Sequence, residues 1–230
     1  MLQTRRKIME LEPKINYTFK NKSLLQTAIT HKSYSHEFNV ENNERLEFLG
    51  DTILNMTVTE YIFSNPKHIS EGNMTKIRSE IICEDCLYEA ACKIGYGENM
   101  LLGCGEEKSG GRNKPSILSD AFEAITAAIY LDGGIENAKK FVLDNLTDYI
   151  DAAISKIGRK DSKTALQEIL QEDGEIKIEY VVVKEKGPEH DKIYEVVVKA
   201  NDKILGQGVG KSKKEAEQEA AKEAIEKMAN

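Results

Sequence analysis

Apolar residues recur at intervals of three and four through residues 1–155, in KSLLQTAITH, ERLEFLGDTILNMTVTEYIF and EIICEDCLYEAACKIGY. That is the period of helices with one face turned to a core. Polar stretches at Asn39–Asn43, Ser64–Pro66 and Gly103–Pro115 mark loops. Another helical pattern runs from about Glu136 to Ile154, after the Gly133-Gly134 pair. No alternating strand pattern occurs in this part of the chain. The period changes after Gly158. The short polar GRKD reads as a linker, and a helix follows at about Lys163–Gln171. IKIEYVVVKE and KIYEVVVKAN are rich in Val, Ile and Tyr and are separated by KGPEHD, which predicts two strands. KILGQGVG predicts a third. SKKEAEQEAAKEAIEKMA predicts a closing helix, with Ser212 and Glu215 spaced for a capping box and Ala216, Ala220, Ala224 and Met228 along its apolar face. The expected architecture is an all-α domain at 1–157, a linker at 158–161, and a small α+β domain of order α-β-β-β-α at 162–230.

Two helical segments depart from the simple pattern. In NNERLEFLGD, Glu44, Glu47 and Asp51 fall within roughly 60° of one another on a helix turning about 100° per residue. Like charges at those spacings repel by roughly a few tenths of a kcal/mol per pair. A solvated acidic face relieved by Arg45 would account for them, and so would a cation site. The second segment, PSILSDAFEAITAAIYLDGG, is apolar nearly all round, the mark of a buried helix. Yet it contains Asp120 and Glu123, one turn apart. Buried acids need partners. Arg45 or Arg78 could supply one. Alternatively Glu47 and Asp51 could meet Asp120 and Glu123 in an all-oxygen cluster, the donor set that hard divalent cations prefer. No Glu-x-x-His pair is present, which disfavours a di-iron carboxylate bundle.

Composition narrows the possibilities. The 230 residues are 40% hydrophobic and 31% charged, values of a soluble globular chain with a sizeable core. No apolar run approaches 18 residues, so no membrane span is expected. The opening MLQTRRKIMELEPK has no apolar stretch after its basic residues and does not read as a secretory signal. Cys83, Cys86, Cys92 and Cys104 lack the second CxxC or His pair of a zinc site, and reduced thiols of a cytoplasmic protein are expected. The formal charge of −7 argues against crude electrostatic attraction to nucleic acid, although an average conceals local patches.

NERLEFLGD at 43–51 resembles the signature of bacterial ribonuclease III. HKSY at 31–34, EGNMTKIRS at 71–79, GCGEEKSGGR at 103–112 and SDAFEAITAAIYLDGG at 119–134 resemble further parts of its nuclease domain, in the expected order. The α-β-β-β-α tail resembles its double-stranded-RNA-binding domain. The resemblance implies a homodimeric, Mg²⁺-dependent endonuclease of double-stranded RNA, with Mn²⁺ as a possible substitute and no organic cofactor. It implies that Glu47, Asp51, Asp120 and Glu123 hold the metal, that Asp51 and Glu123 are the most directly catalytic, and that Glu44 supports them. Phe48 is implied at the dimer interface; ordinary core packing is the other reading of it. The implied products carry 5′-phosphate and 3′-hydroxyl ends with short 3′ overhangs, and ribosomal precursors are the implied targets. A double-stranded-RNA-binding protein without activity is the alternative, but it would be expected to lack acids that are all present here.

The tail, residues 161–230, has 12 lysines, no arginine and 16 acids. Lys211, Lys213 and Lys214 nevertheless cluster at the predicted start of the last helix. Cations there oppose the helix dipole. Together with free backbone N–H groups they suit an anion, here RNA phosphates. The resemblance adds Gln167 on the first tail helix and His190 in the loop GPEHD as minor-groove contacts. Lys76, Arg78, Arg112 and Lys114 are candidate phosphate contacts in the helical domain. GQGVG lacks the GK[ST] of a nucleotide-binding loop, so its glycines read as strand and turn residues.

Overall fold

The computed structural model describes residues 2–65, 69–160, 162–171, 176–188 and 192–228. The chain divides into two compact units, Met1–Asp151 and Ala152–Asn230.

The first unit is helical. Its elements are α1 (Leu2–Leu11), α2 (Lys22–Ala28), α3 (Lys32–Phe38), α4 (Glu44–Phe63), α5 (Glu71–Ile81), α6 (Glu84–Ile94), α7 (Tyr96–Asn99), α8 (Cys104–Lys108), a single 3₁₀ turn at Gly111–Asn113, and α9 (Pro115–Gly133). The long α10 (Ile135–Lys160) follows and runs past the end of this unit at Asp151. α9 begins with proline at its first position, where the missing N–H costs nothing. Its residues Ile117, Leu118, Ala121, Phe122, Ala124, Ile125, Ala127, Ala128 and Ile129 are all buried. It packs against α2, α4 and α6, which accounts for apolar residues around its whole circumference. The crossing with α4 is close because Gly50 has no side chain: a Cβ there would overlap the carbonyl oxygen of Glu123.

Three local expectations change. EIICEDCLYEAACKIGY is split, because α5 stops at Ile81 and α6 starts at Glu84 with Cys83 as its extended N-cap. The polar stretch 103–115 is not a bare loop: it holds α8 and the 3₁₀ turn, tied together by side chains described below. Residues 158–160, read as linker, are the last residues of α10, and Asp161 lies outside the described residues. A single parallel bridge, Thr30 with Leu101, is the extended pairing found in the helical unit.

The second unit contains α11 (Ser162–Gln171), then β1 (Ile178–Lys186), β2 (Ile193–Ala200) and β3 (Lys203–Gly210), then α12 (Lys213–Met228). The strands form an antiparallel sheet in the order β1-β2-β3. Alternation places Val196, Val198 and Ala200 in a core with Leu166, Leu170, Ala216, Ala220, Ala221 and Ala224. Gly206, Gly208 and Gly210 occupy alternate positions of β3, and a Cβ on any of them would collide with α12 around Ala216, Ala220 and Ala224. Backbone therefore lies directly on backbone. This explains GQGVG without a nucleotide. Met228, expected on the buried face, is instead 46% exposed, and Ala221 takes part in the core. At the start of α12, Ser212 Oγ accepts from the Glu215 N–H at 3.2 Å. Glu215 reaches back to the N–H of Lys211 rather than Ser212, so the capping box is offset by one residue.

Candidate active site

The α4–α9 crossing brings together the acids that the sequence singles out. Glu47 and Asp120 are half-buried, as is Glu123, while Glu44 and Asp51 are exposed. Their mutual influence shows in their acidities. Burial, and then the charges of Asp51, Glu47 and Asp120, push the Glu123 carboxyl up to about 8. Burial, with Asp120 and Glu44 adding to it, raises Glu47. Asp120 is raised by burial, by Glu84 at the start of α6 and by Glu44. Both desolvation and like charge favour the neutral carboxyl.

Compensating cations are scarce. Among the described residues, neither Arg45 nor Arg78 forms an ion pair with these acids; the Arg78 guanidinium donates to Thr59 Oγ1 at 3.4 Å. Lys32 is the cation whose charge opposes the rise at Glu47 and Asp120. Its Nζ lies 3.8 Å from Glu44 Oε1. Lys32 is placed by a cap: His31, buried, accepts the Ser33 N–H on Nδ1 at the start of α3. Amides hold two of the acids. Asn42 Nδ2 donates to Glu44 Oε2 at 3.0 Å, and Asn55 Nδ2 donates to Asp51 Oδ1 at 2.8 Å.

The donor set fits a hard divalent cation. It is all oxygen, and the four acids Glu47, Asp51, Asp120 and Glu123 have no ion-pair partner among the described residues. Among those residues no group of three Asp, Glu, His or Cys side chains closes into a finished cation cage.

Phe48 is 81% exposed on the same helix. Beside it opens a cavity of about 610 Å³ lined by Leu24, Val40, Arg45, Leu46, Leu49 and Leu131, among others.

The expected phosphate contacts divide. Lys76 is exposed and Arg78 half-buried. Arg112 and Lys114 are committed to internal bonds. Arg112 Nε and Nη2 bind the two oxygens of Glu107, and Nη1 donates to the carbonyls of Gly97, Glu98 and Met100 at 2.6, 3.2 and 3.1 Å. Lys114 pairs with Glu106 and donates to Ser109 Oγ. These bonds build the 103–114 segment.

In the second unit, Gln167 is exposed on α11, and Lys211, Lys213 and Lys214 are exposed at the start of α12. Lys213 Nζ lies 3.3 Å from Glu185 Oε1 and over the Tyr194 ring. His190 lies outside the described residues.

Comparison with known proteins agrees with both units. A family profile described as "Ribonuclease-III-like" matches residues 21–150, and the "Double-stranded RNA binding motif" matches residues 162–228. Ribonuclease 3 of Caldanaerobacter subterraneus subsp. tengcongensis is 49% identical over 220 residues, covering 95% of this chain and 96% of that protein. The chain belongs to the ribonuclease III family. Ribonuclease 3 of Clostridium perfringens is 47% identical over 222 residues, covering 96% and 94% of the two chains. A crystal structure of the ribonuclease III nuclease domain from Campylobacter jejuni has a TM-score of 0.55 at 39% identity, covering 61% of this chain and 94% of that one. A second structure of that domain has a TM-score of 0.56 at 42% identity, covering 61% and 99%, and that domain is described as flexible in a region involved in dimer formation. Both modules of a double-stranded-RNA endoribonuclease, the nuclease domain and the duplex-binding domain, are therefore present.

Sequence reasoning passed over Gly50, Lys32, Glu84 and Asn55. Asn55 had a signal, an amide one turn after Asp51. Glu84 had none, since only the fold brings α6 to Asp120.

Proposed function

We propose that this ribonuclease III family member hydrolyses phosphodiester bonds within double-stranded RNA using Mg²⁺, for which Mn²⁺ can substitute. The products carry 5′-phosphate and 3′-hydroxyl ends with short 3′ overhangs, and the substrates include ribosomal and other precursor RNAs in the cytoplasm. The observation that carries this reading is the convergence of two helix-borne acid pairs with no arginine partner among the described residues, on a chain that also has a double-stranded-RNA-binding motif.

Glu47, Asp51, Asp120 and Glu123 would hold the metal. When bound, Mg²⁺ supplies charge stabilisation at the scissile phosphate and a water of lowered pKa. Glu123 must give up its proton to act as a ligand, so loading is linked to pH. Asp51 and Glu123 lie nearest the reaction in this assignment, and Glu44 braces the cluster from the start of α4. Gln167 and His190 read the minor groove while Lys211, Lys213 and Lys214 meet phosphates, a footprint of about 16 base pairs in domains of this type. Two copies assemble through the exposed face of α4, which presents Phe48 and is adjoined by a cavity lined by both apolar and polar residues.

The decisive experiment follows cleavage of a long RNA duplex in Mg²⁺ by wild type and Glu123→Gln, with duplex binding measured for both in Ca²⁺. Cutting by wild type, lost in the variant while both still bind, is the expected result. Binding without cutting by wild type would leave a non-catalytic double-stranded-RNA-binding protein.

A further inference from the structure

We propose that Asn55 is a positioning residue that presents Asp51 to the divalent cation; the inference rests on the metal-nuclease reading above. Asn55 is half-buried in the middle of α4, one turn after Asp51. Asparagine is a poor helix former because its side chain competes for backbone groups. Here that competition is put to use. Asn55 Nδ2 donates to the Asp51 carbonyl at 3.0 Å and to Asp51 Oδ1 at 2.8 Å. Both amide hydrogens are thereby spent on one residue. The first bond fixes the amide against the helix, and the second fixes the carboxylate against the amide.

The choice of donor has a chemical consequence. An arginine or lysine in this place would restrain the carboxylate and also cancel its charge. A neutral amide restrains it and leaves the full charge for a cation. It occupies Oδ1 and, among the described residues, leaves Oδ2 without a hydrogen-bond partner, so Asp51 is prepared as a ligand through one oxygen. Glu44 is also held by an amide, that of Asn42 at 3.0 Å, but unlike Asp51 it has a cation beside it, Lys32 at 3.8 Å. Glu47, Asp120 and Glu123 have no such donor among the described residues. Asp51 is then the member of the four whose direction is set before the cation arrives.

The test is Mn²⁺ binding to the full chain without RNA, followed by electron paramagnetic resonance, for wild type, Asn55→Ala and Asn137→Ala. Asn137 makes a similar bond to the carbonyl four residues back, that of Gly133 at 2.7 Å, away from the acids. Loss of a group that orients a metal ligand weakens affinity by about 10- to 100-fold. That loss is expected for Asn55→Ala, and wild-type affinity for Asn137→Ala. In duplex cleavage, the Mg²⁺ concentration for half-maximal rate should rise by the same factor while the rate at saturating Mg²⁺ stays near wild type. Unfolding temperature in chelator should not fall, since alanine is the better helix former. Equal Mn²⁺ affinity of Asn55→Ala and wild type overturns the inference and leaves the nuclease reading standing. Wild type that neither binds Mn²⁺ nor cuts overturns both.

Discussion

The raised pKa of Glu123 gives the protein a pH response whose sign follows directly. Its ordinary value is 4.5, and the folded site pushes it up to about 8. Between those values the folded protein keeps a proton that the unfolded chain has released. Stability without metal therefore falls as pH rises through this window. In chelator at pH 8, Glu123→Gln should unfold at a higher temperature than wild type, by about 2–4 °C for each kcal/mol of repulsion removed. At pH 4.5 the two should coincide. Mg²⁺ reverses the order at pH 8, because only the wild type gains the stabilisation of a bound ion. Activity moves the other way: losing a ligand costs more than losing a ligand's partner, so cleavage by Glu123→Gln should drop by at least about 100-fold. The acids were legible from sequence because repelling charges at helical spacing, and acids in an apolar helix, both ask for a partner. Lys32 was not legible, and the signal of Asn55, an amide one turn after Asp51, was passed over. Each is an ordinary residue until the fold shows which carboxylate it reaches. Arg112 was misjudged for the same reason, since a surface-looking arginine gives no hint that its guanidinium is enclosed by Glu107 and three carbonyls.

At the level of elements, the site depends on how closely α4 and α9 cross. Gly50 sits where the backbone of Glu123 passes, with no room for a methyl group. Gly50→Ala gains roughly 1 kcal/mol of intrinsic helix propensity. It must also part the helices, and overpacking of this kind costs about 1–3 kcal/mol, with more where the neighbour is backbone. The variant should show a lower denaturant midpoint. Its cleavage rate should also be reduced under conditions where circular dichroism shows it fully folded, because the acids have been moved apart. Periodicity revealed both helices, since their apolar repeats are long. It could not reveal their separation, which depends on a residue that has no side chain. Boundaries were lost where helices follow one another without a strong breaker, as between α5 and α6. The polar character of residues 158–160 likewise hid their place in α10.

For the whole molecule, the two modules and the proposed pairing of two copies set the observable behaviour. Deleting residues 158–230 should weaken duplex binding and flatten its salt dependence, because the phosphate contacts proposed for the lysines of α12 would be lost. The rate at saturating RNA should change far less. Phe48→Asp should shift sedimentation toward the monomer. Removing an aromatic anchor of this size costs at least about 2 kcal/mol, or ~30-fold in the dimer constant. The domain order was readable from the change of period after Gly158, but the proposed assembly has only a large apolar residue amid acids as its trace. One consequence concerns how the lysines of α12 keep their place. Most helices rest on a sheet through side chains that can change rotamer, so their height can drift by fractions of an ångström. Across the seam of Gly206, Gly208 and Gly210 against Ala216, Ala220 and Ala224 there is almost nothing to turn. The spacing is that of two main chains in contact, set by bond lengths and atomic radii. The strand and the helix thus form a gauge of fixed thickness, and Lys213 and Lys214 are mounted at its end.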